Sequence, residues 1–316
     1  MAEQPKMDLR EVMVQCFIRA VQDNVNLVVL VSDSTSTAKI APFQEKYPDR
    51  LINVGIAEQN LVGVAVGLSL GGYVAVTANA ACFLVARANE QVKNDVCYSD
   101  TNVKLVGLNA GVSYGPLAST HHAIDDISIM RGLGNIIILA PSDPVETEKI
   151  FDFALRHVGP VYIRMDNAKF PVLHSKDYQF ELGKADVLTY GDDVSIFAMG
   201  SVVHEAYAAA QTLKNNSINA EVINVSSIRP VDKKAISDSI QKTKKVITVE
   251  EHSLHGGLGS LICEIIAEEG LGAKIVRLGI TQGHFAKAGP RDKIRAFYKI
   301  DKNGILETAR KLLRKD

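Results

Sequence analysis

What this chain lacks narrows the field first. Its four cysteines, Cys16, Cys82, Cys97 and Cys263, have neither CxxC nor metal-ligand spacing. They read as buried thiols in a reducing compartment. An excess of one charge is also missing. Lys and Arg number 35 against 36 Asp and Glu, for a formal net charge of −1, which argues against a general nucleic-acid or polyanion surface. The only block of like charge is a short basic cluster at 311–315, read as a solvated helix end. Long hydrophobic runs are absent too. The most apolar window, 61–71, is too short to span a bilayer. The N-terminal Met-Ala-Glu-Gln-Pro-Lys contains no apolar signal core. A cytoplasmic protein is the expectation.

What remains is an alternation. Short apolar runs at 27–31, 73–76, 103–108, 136–139 and 161–163 are followed by a second series at 194–198, 220–225, 246–249 and 274–278. Helical patterns lie between them at 89–97, 144–154, 204–213 and 259–268. Fully apolar short strands alternating with helices predict parallel sheets covered on both faces. The alternation breaks at 166–184, which holds Pro171, His174 and Asp177. The fold class predicted is therefore α/β, with two doubly wound domains of mostly parallel sheets. The first covers 1–170, a linker 171–184, and the second 185–316.

One stretch stands out against this background. Asn53-Val-Gly-Ile-Ala-Glu58-Gln-Asn60 follows a short strand and runs into an uncharged, glycine-rich helix over 57–71. The absence of charge predicts that the whole helix is buried. A buried Glu58 at its start then needs a specific partner, because an unpaired buried charge is costly. That partner is either a protein group or a ligand nitrogen. Gly63, Gly67 and Gly71 recur every four residues and line one face. They permit either tight helix-on-sheet packing or close contact with a twin helix across a dimer.

Gly55-Ile-Ala-Glu-Gln-Asn60, Tyr47-Pro-Asp-Arg50 before it and Pro141-Ser-Asp-Pro144 after it resemble the pyrimidine-binding domain of transketolases. From Gly183 onward, with Glu250-Glu-His-Ser-Leu-His-Gly-Gly-Leu-Gly259, the chain is similar to the transketolase C-terminal domain. The Gly-Asp-Gly and following Asn that hold a divalent metal in full-length transketolases are missing. The resemblance therefore implies the C-terminal subunit of a split transketolase. It implies thiamine diphosphate as cofactor, and a separate N-terminal diphosphate-binding subunit holding Mg²⁺ or another divalent metal. An α2β2-type assembly is expected. The activity implied is transfer of a two-carbon ketol unit from a ketose to an aldose. Two alternatives stay open: the β subunit of a 2-oxoacid dehydrogenase E1 component, and a catalytically silent regulatory homologue.

The resemblance also assigns residues. Glu58 matches the carboxylate that hydrogen-bonds N1′ of the aminopyrimidine, and burial suits a carboxyl that shares a proton with a ring nitrogen. Phe83 is the one aromatic available to stack on the pyrimidine, in a segment where the usual Thr-Phe is replaced by Ala80-Ala81. Arg87 matches an arginine kept for structural pairing. His121, in Thr120-His121-His122, matches the histidine that contacts substrate hydroxyls and moves protons. Asp33 either matches an aspartate near the thiazolium or caps the next helix.

The sugar end departs from the family pattern. Gly115-Pro-Leu-Ala118 replaces Gly-Glu-Asp-Gly, Leu117 replaces the aspartate that reads a hydroxyl, and Asn109 replaces a histidine. Asn167 replaces a phosphate-binding arginine. Arg10 and Thr37 remain as candidate anion-binding positions. This thinned set points to a sugar other than the xylulose 5-phosphate and ribose 5-phosphate pair: a sulfonated, branched or otherwise modified ketose. No metal-ligating residue is expected in this chain.

Overall fold

The protein is described by a computed structural model over residues 6–281 and 285–314. Lys315 of the basic cluster and the outermost ends of the two predicted domains lie outside the described residues. No helix among the described residues is long and apolar enough to cross a membrane.

In chain order the strands are β1 (Lys6–Asp8), β2 (Leu27–Val31), β3 (Leu51–Asn53), β4 (Val74–Ala80), β5 (Val103–Leu108), β6 (Ile137–Leu139) and β7 (Val161–Arg164). They continue as β8 (Lys169–Pro171), β9 (Asp186–Thr189), β10 (Val194–Ala198), β11 (Ala220–Asn224), β12 (Ser227–Arg229), β13 (Lys245–Ser253) and β14 (Lys274–Ile280). The first large sheet has the order β12-β6-β7-β5-β4-β2-β3, and the second β14-β13-β10-β11-β9. Pairing is parallel except for β12 on β6 and β9 on β11. A separate antiparallel pair joins β1 to β8, whose last residue, Pro171, is the first of the segment predicted as linker.

The all-apolar strands follow from burial on both faces. Every residue of β2 is buried. Leu27, Val29 and Val31 pack with Leu9, Met13, Phe17, Phe43 and Phe151. Val28 and Leu30 turn the other way, onto Leu61, Val62 and Ala65. The Phe17 ring meets Phe43 and Phe151 edge-on, at centroid distances of 6.1 and 5.6 Å, the arrangement favoured by the ring quadrupoles.

The two domains are not independent. The apolar cluster beneath the Glu58–Leu70 helix continues through Ile127 and Met130 to Ile228, Leu258 and Ile262 of the second half. β12, which follows β11 of the second sheet after two residues, forms the edge of the first sheet.

Chain order places the site. From β2 the chain moves to β3 on one side, then to β4 on the other, so the winding reverses around β2. In such sheets ligands bind at the carboxyl ends of strands near that reversal. Asp33 and Thr37 follow β2, Glu58 follows β3, Phe83 follows β4, Asn109 and His121 follow β5, and Asn167 follows β7. Topology alone brings the predicted residues to one edge of the sheet.

Candidate active site

The turn before Glu58 is built by short polar side chains. Asn53 Oδ1 accepts from the backbone N–H of both Asp33 and Gly55 at 3.0 Å. Ser32 Oγ donates to Gly55 O at 2.6 Å and accepts from Ala57 N–H at 2.9 Å. Gly55 has φ +74°, a conformation that favours glycine. The chain thus enters the helix with Glu58 as its first residue, where the N-terminal dipole favours a carboxylate.

Glu58 is 2% exposed, as expected. Within the chain, Arg87 Nη1 donates to Oε2 at 2.5 Å, and Asn79 Nδ2 to Oε1 at 3.3 Å. Arg87 itself remains 47% exposed. The helix as a whole corrects the expectation of complete burial. Only Glu58, Leu61, Val62 and Ala65 are buried. Ile56 just before it and Leu70 at its end are 75% and 76% exposed. A Cβ on Gly63 or Gly67 would have nothing within 4 Å. The glycines at 63 and 67 therefore do not serve packing against this chain's own sheet. They line an uncharged outer face of the helix.

Phe83 connects the two halves of the site. The Arg87 guanidinium lies 4.8 Å from its ring centroid, and its ring meets His121 edge-on at 5.2 Å. His121 is flanked on its other side by Tyr114, at 5.3 Å and 71°. Thr120 Oγ1 lies 2.9 Å from His121 Nδ1. Glu58, Arg87, Phe83, His121 and Tyr114 thus form one continuous row.

Tyr114 is a residue that the sequence reading missed. Burial pushes its phenol pKa up, against hydrogen bonding from Asn109 and Thr37. Asn109 is 3% exposed, sits in the left-handed region at φ +56°, and has no hydrogen-bond partner for Oδ1 among the described residues. Such strain and an orphaned acceptor concentrate at functional sites.

Other predicted residues take different parts. Arg10 spends four guanidinium bonds inside the chain: two on Asp8, one on Thr37 O at 3.1 Å and one on Asn167 O at 2.8 Å. It clamps the two backbones rather than presenting a free fork to an anion. Asp33 is exposed, with φ +52°. The helix-capping alternative fails, because Ser34 occupies the cap of the Thr35–Ala38 helix, with no side-chain bond. Asp33 instead lines a cleft with Glu11, Thr35, Ser36 and Lys39. His122 is buried, and its Nε2 donates to Gly115 O at 3.1 Å. Burial lowers its pKa and keeps it a neutral strut.

Comparison with known proteins matches this geometry to a family. The family model for the transketolase pyrimidine binding domain matches residues 5–171, and that for the transketolase C-terminal domain matches 183–305. The chain is 56% identical to an apulose-4-phosphate transketolase subunit of Actinobacillus succinogenes, over 95% of this chain and 97% of that one. It is 34% identical to a 6-deoxy-6-sulfo-D-fructose transketolase subunit of a Clostridium species, over 95% and 93%. A solved split-gene transketolase, described as an inactive β4 tetramer, superposes with a TM-score of 0.87 at 34% identity, covering 98% of this chain and 99% of that one. This chain belongs to the transketolase family and joins its pyrimidine-binding and C-terminal domains in one polypeptide.

Proposed function

We propose that this chain is the pyrimidine-binding subunit of a two-chain, thiamine-diphosphate-dependent transketolase acting in the cytoplasm. Its reaction moves a two-carbon ketol unit from a ketose to an aldose. The observation that carries this reading is the row Glu58–Arg87–Phe83–His121 at the carboxyl ends of β3 to β5. It fits the cofactor's aminopyrimidine: a buried carboxylate for the ring nitrogen, and an aromatic side chain joined to it through Arg87. When bound, thiamine diphosphate would supply a carbon nucleophile for the ketose carbonyl and a cationic ring as electron sink. Glu58 holds a proton at the pyrimidine nitrogen. Phe83 supplies apolar surface beside it. His121, its Nδ1 engaged by Thr120, offers Nε2 to the substrate oxygens, where charge develops.

The diphosphate and its divalent metal fall to a separate subunit. We place the contact with another chain on the uncharged outer face of the Glu58–Leu70 helix, within an α2β2-type assembly. The sugar proposed is a branched or otherwise modified ketose phosphate, with apulose 4-phosphate first. Two things support this: the name of the 56%-identical relative, and a sugar end where Leu117 is 53% exposed and Asn109 replaces a histidine.

The test is capture of the full chain from its native lysate with Mg²⁺ and thiamine diphosphate, followed by ketol-transfer assays on the captured complex. We expect a stoichiometric chain of about 250–300 residues bearing Gly-Asp-Gly, and faster turnover of apulose 4-phosphate than of xylulose 5-phosphate. Recovery of the chain alone would overturn the two-subunit reading. Strong preference for the ordinary xylulose 5-phosphate and ribose 5-phosphate pair would overturn the sugar.

A further inference from the structure

The segment from Asn109 to Ile124 carries both Tyr114 and His121, yet much of its anchorage comes from the C-terminal domain. Its neck is closed by two backbone bonds: Gly111 N–H to Ala123 O, and Ala123 N–H to Gly111 O, each 2.9 Å. The end of β13 grips that neck on both sides. Val112 N–H donates to Glu251 Oε1 at 2.8 Å, and Ser253 N–H donates to Ile124 O at 2.7 Å. Arg164 ties the same place from β7, donating to Glu251 O at 2.9 Å and to Ala123 O at 3.4 Å.

Glu251 is fixed from behind. It is 2% exposed. Arg291 Nε reaches both carboxylate oxygens at 3.1 Å, Arg291 Nη2 reaches Oε1 at 2.8 Å, and Arg295 Nε bonds Oε2. Burial alone would raise this carboxyl's pKa, but the two guanidinium groups outweigh it and keep it ionised. Close approach is written into the loop. Gly111 has φ +65°, and a Cβ there would stand 2.5 Å from Glu251 Oε1. Gly115 has φ +51°, and its Cβ would meet Gly289 O at 2.8 Å. Arg291 also holds a second loop of the site. Its Nη1 donates to Asp166 Oδ1 at 2.7 Å, and that same oxygen accepts from the backbone N–H of Asn167 and Ala168.

We propose that Glu251 is a positioning residue: a carboxylate of the C-terminal domain that sets where the His121 loop stands. One carboxylate, locked by two arginines, fixes the amide next to the loop's neck. Displacement of about 1 Å at a reacting centre can cost on the order of a hundredfold in rate, so the grip acts on catalysis without touching substrate. None of the Glu251 bonds described leads to Glu58; the loop meets the cofactor end only through the edge contact of His121 with Phe83, so little change is expected there. The inference rests on the transketolase reading only for the reaction that reports it.

The principal variant is Glu251→Asp, in the full chain. It keeps the negative charge between the arginines and withdraws the acceptor from Val112 by one methylene. We expect hydrogen exchange of the 109–124 segment to quicken about tenfold or more, with exchange of the Glu58–Leu70 helix unchanged. In the complex with its partner subunit, kcat should fall on the order of a hundredfold, with the half-saturating thiamine diphosphate concentration unmoved. Arg295→Lys loosens the same carboxylate from its other side. It should give a smaller change in the same segment, and it decides the matter if Glu251→Asp does not fold. Unchanged exchange in 109–124, or equal loosening of both segments, overturns the proposal. Exchange is read on the chain itself, so a failure of the proposed reaction leaves that outcome standing.

Discussion

Glu58 and Glu251 are each 2% exposed, and the chain satisfies them in opposite ways. Glu58 has a half-exposed Arg87 on one oxygen and a 3.3 Å amide on the other. Glu251 has two arginines, themselves largely buried, and a backbone N–H. The first arrangement can be exchanged for another partner at small cost, because Arg87 can turn to water. The second cannot, because releasing the carboxylate would leave two cations facing each other out of water. Depth of burial does not separate an exchangeable carboxylate from a locked one. The exposure of its partners does.

The comparison can be broken most sharply at its active end. Glu58→Gln should lower ketol transfer by about 10²–10⁴-fold, the usual range for a lost acid–base group. Its effect on the stability of the free chain should stay within about 1 kcal/mol, the scale of exposed ion pairs. Steady-state rates in the complex and urea unfolding of the free chain read the two quantities. A large loss of stability would mean that Glu58 is as structural as Glu251.

Glu251→Ala should do the reverse to the free chain. Removing one partner of a buried ionic cluster costs about 3–5 kcal/mol, visible as a lowered urea midpoint. A cost below about 1 kcal/mol would place Glu251 beside Glu58 and erase the contrast.

The smallest effect concerns a third mode, a buried cation between two acids. His174 Nδ1 lies 3.1 Å from Asp143 and its Nε2 3.1 Å from Asp186. Burial would discharge the ring, but the two carboxylates prevail and push its pKa up to about 10. The folded value lies above the unfolded one of about 6.5. The stabilisation is therefore fully present below pH 6.5 and is lost as pH rises through about 10. His174→Gln should flatten the alkaline fall of the melting temperature over that window. An unchanged profile would remove His174 from the account.

How much of this could be read in the chain depends on distance along it. β2 and β6 were legible because burial on both faces leaves an unbroken apolar signature. Glu58 was legible because an uncharged helix begins on a carboxylate. Lys104 was not. It sits inside β5, fully buried, with Nζ bonded to Asn102 and to the carbonyls of His157 and Gly159, more than fifty residues away. Burial lowers its pKa to about 7, and nothing near it in sequence announces that cage. Arg10's bonding within the chain went unread although Asp8, which takes two of its bonds, lies only two residues back. The Glu250-Glu-His motif was visible, but the arginines that give Glu251 its meaning come forty residues later.

β12 bears on how such a polypeptide could be divided. It comes from the second half of the chain yet borders the first sheet along β6. A genome, or a protein engineer, seeking a further break at the connection between the two halves would strip the first sheet of its outer strand. β6 would then offer unpaired amides and carbonyls to any passing chain. The two domains are separable as names and as sheets, but β12 makes each the other's border.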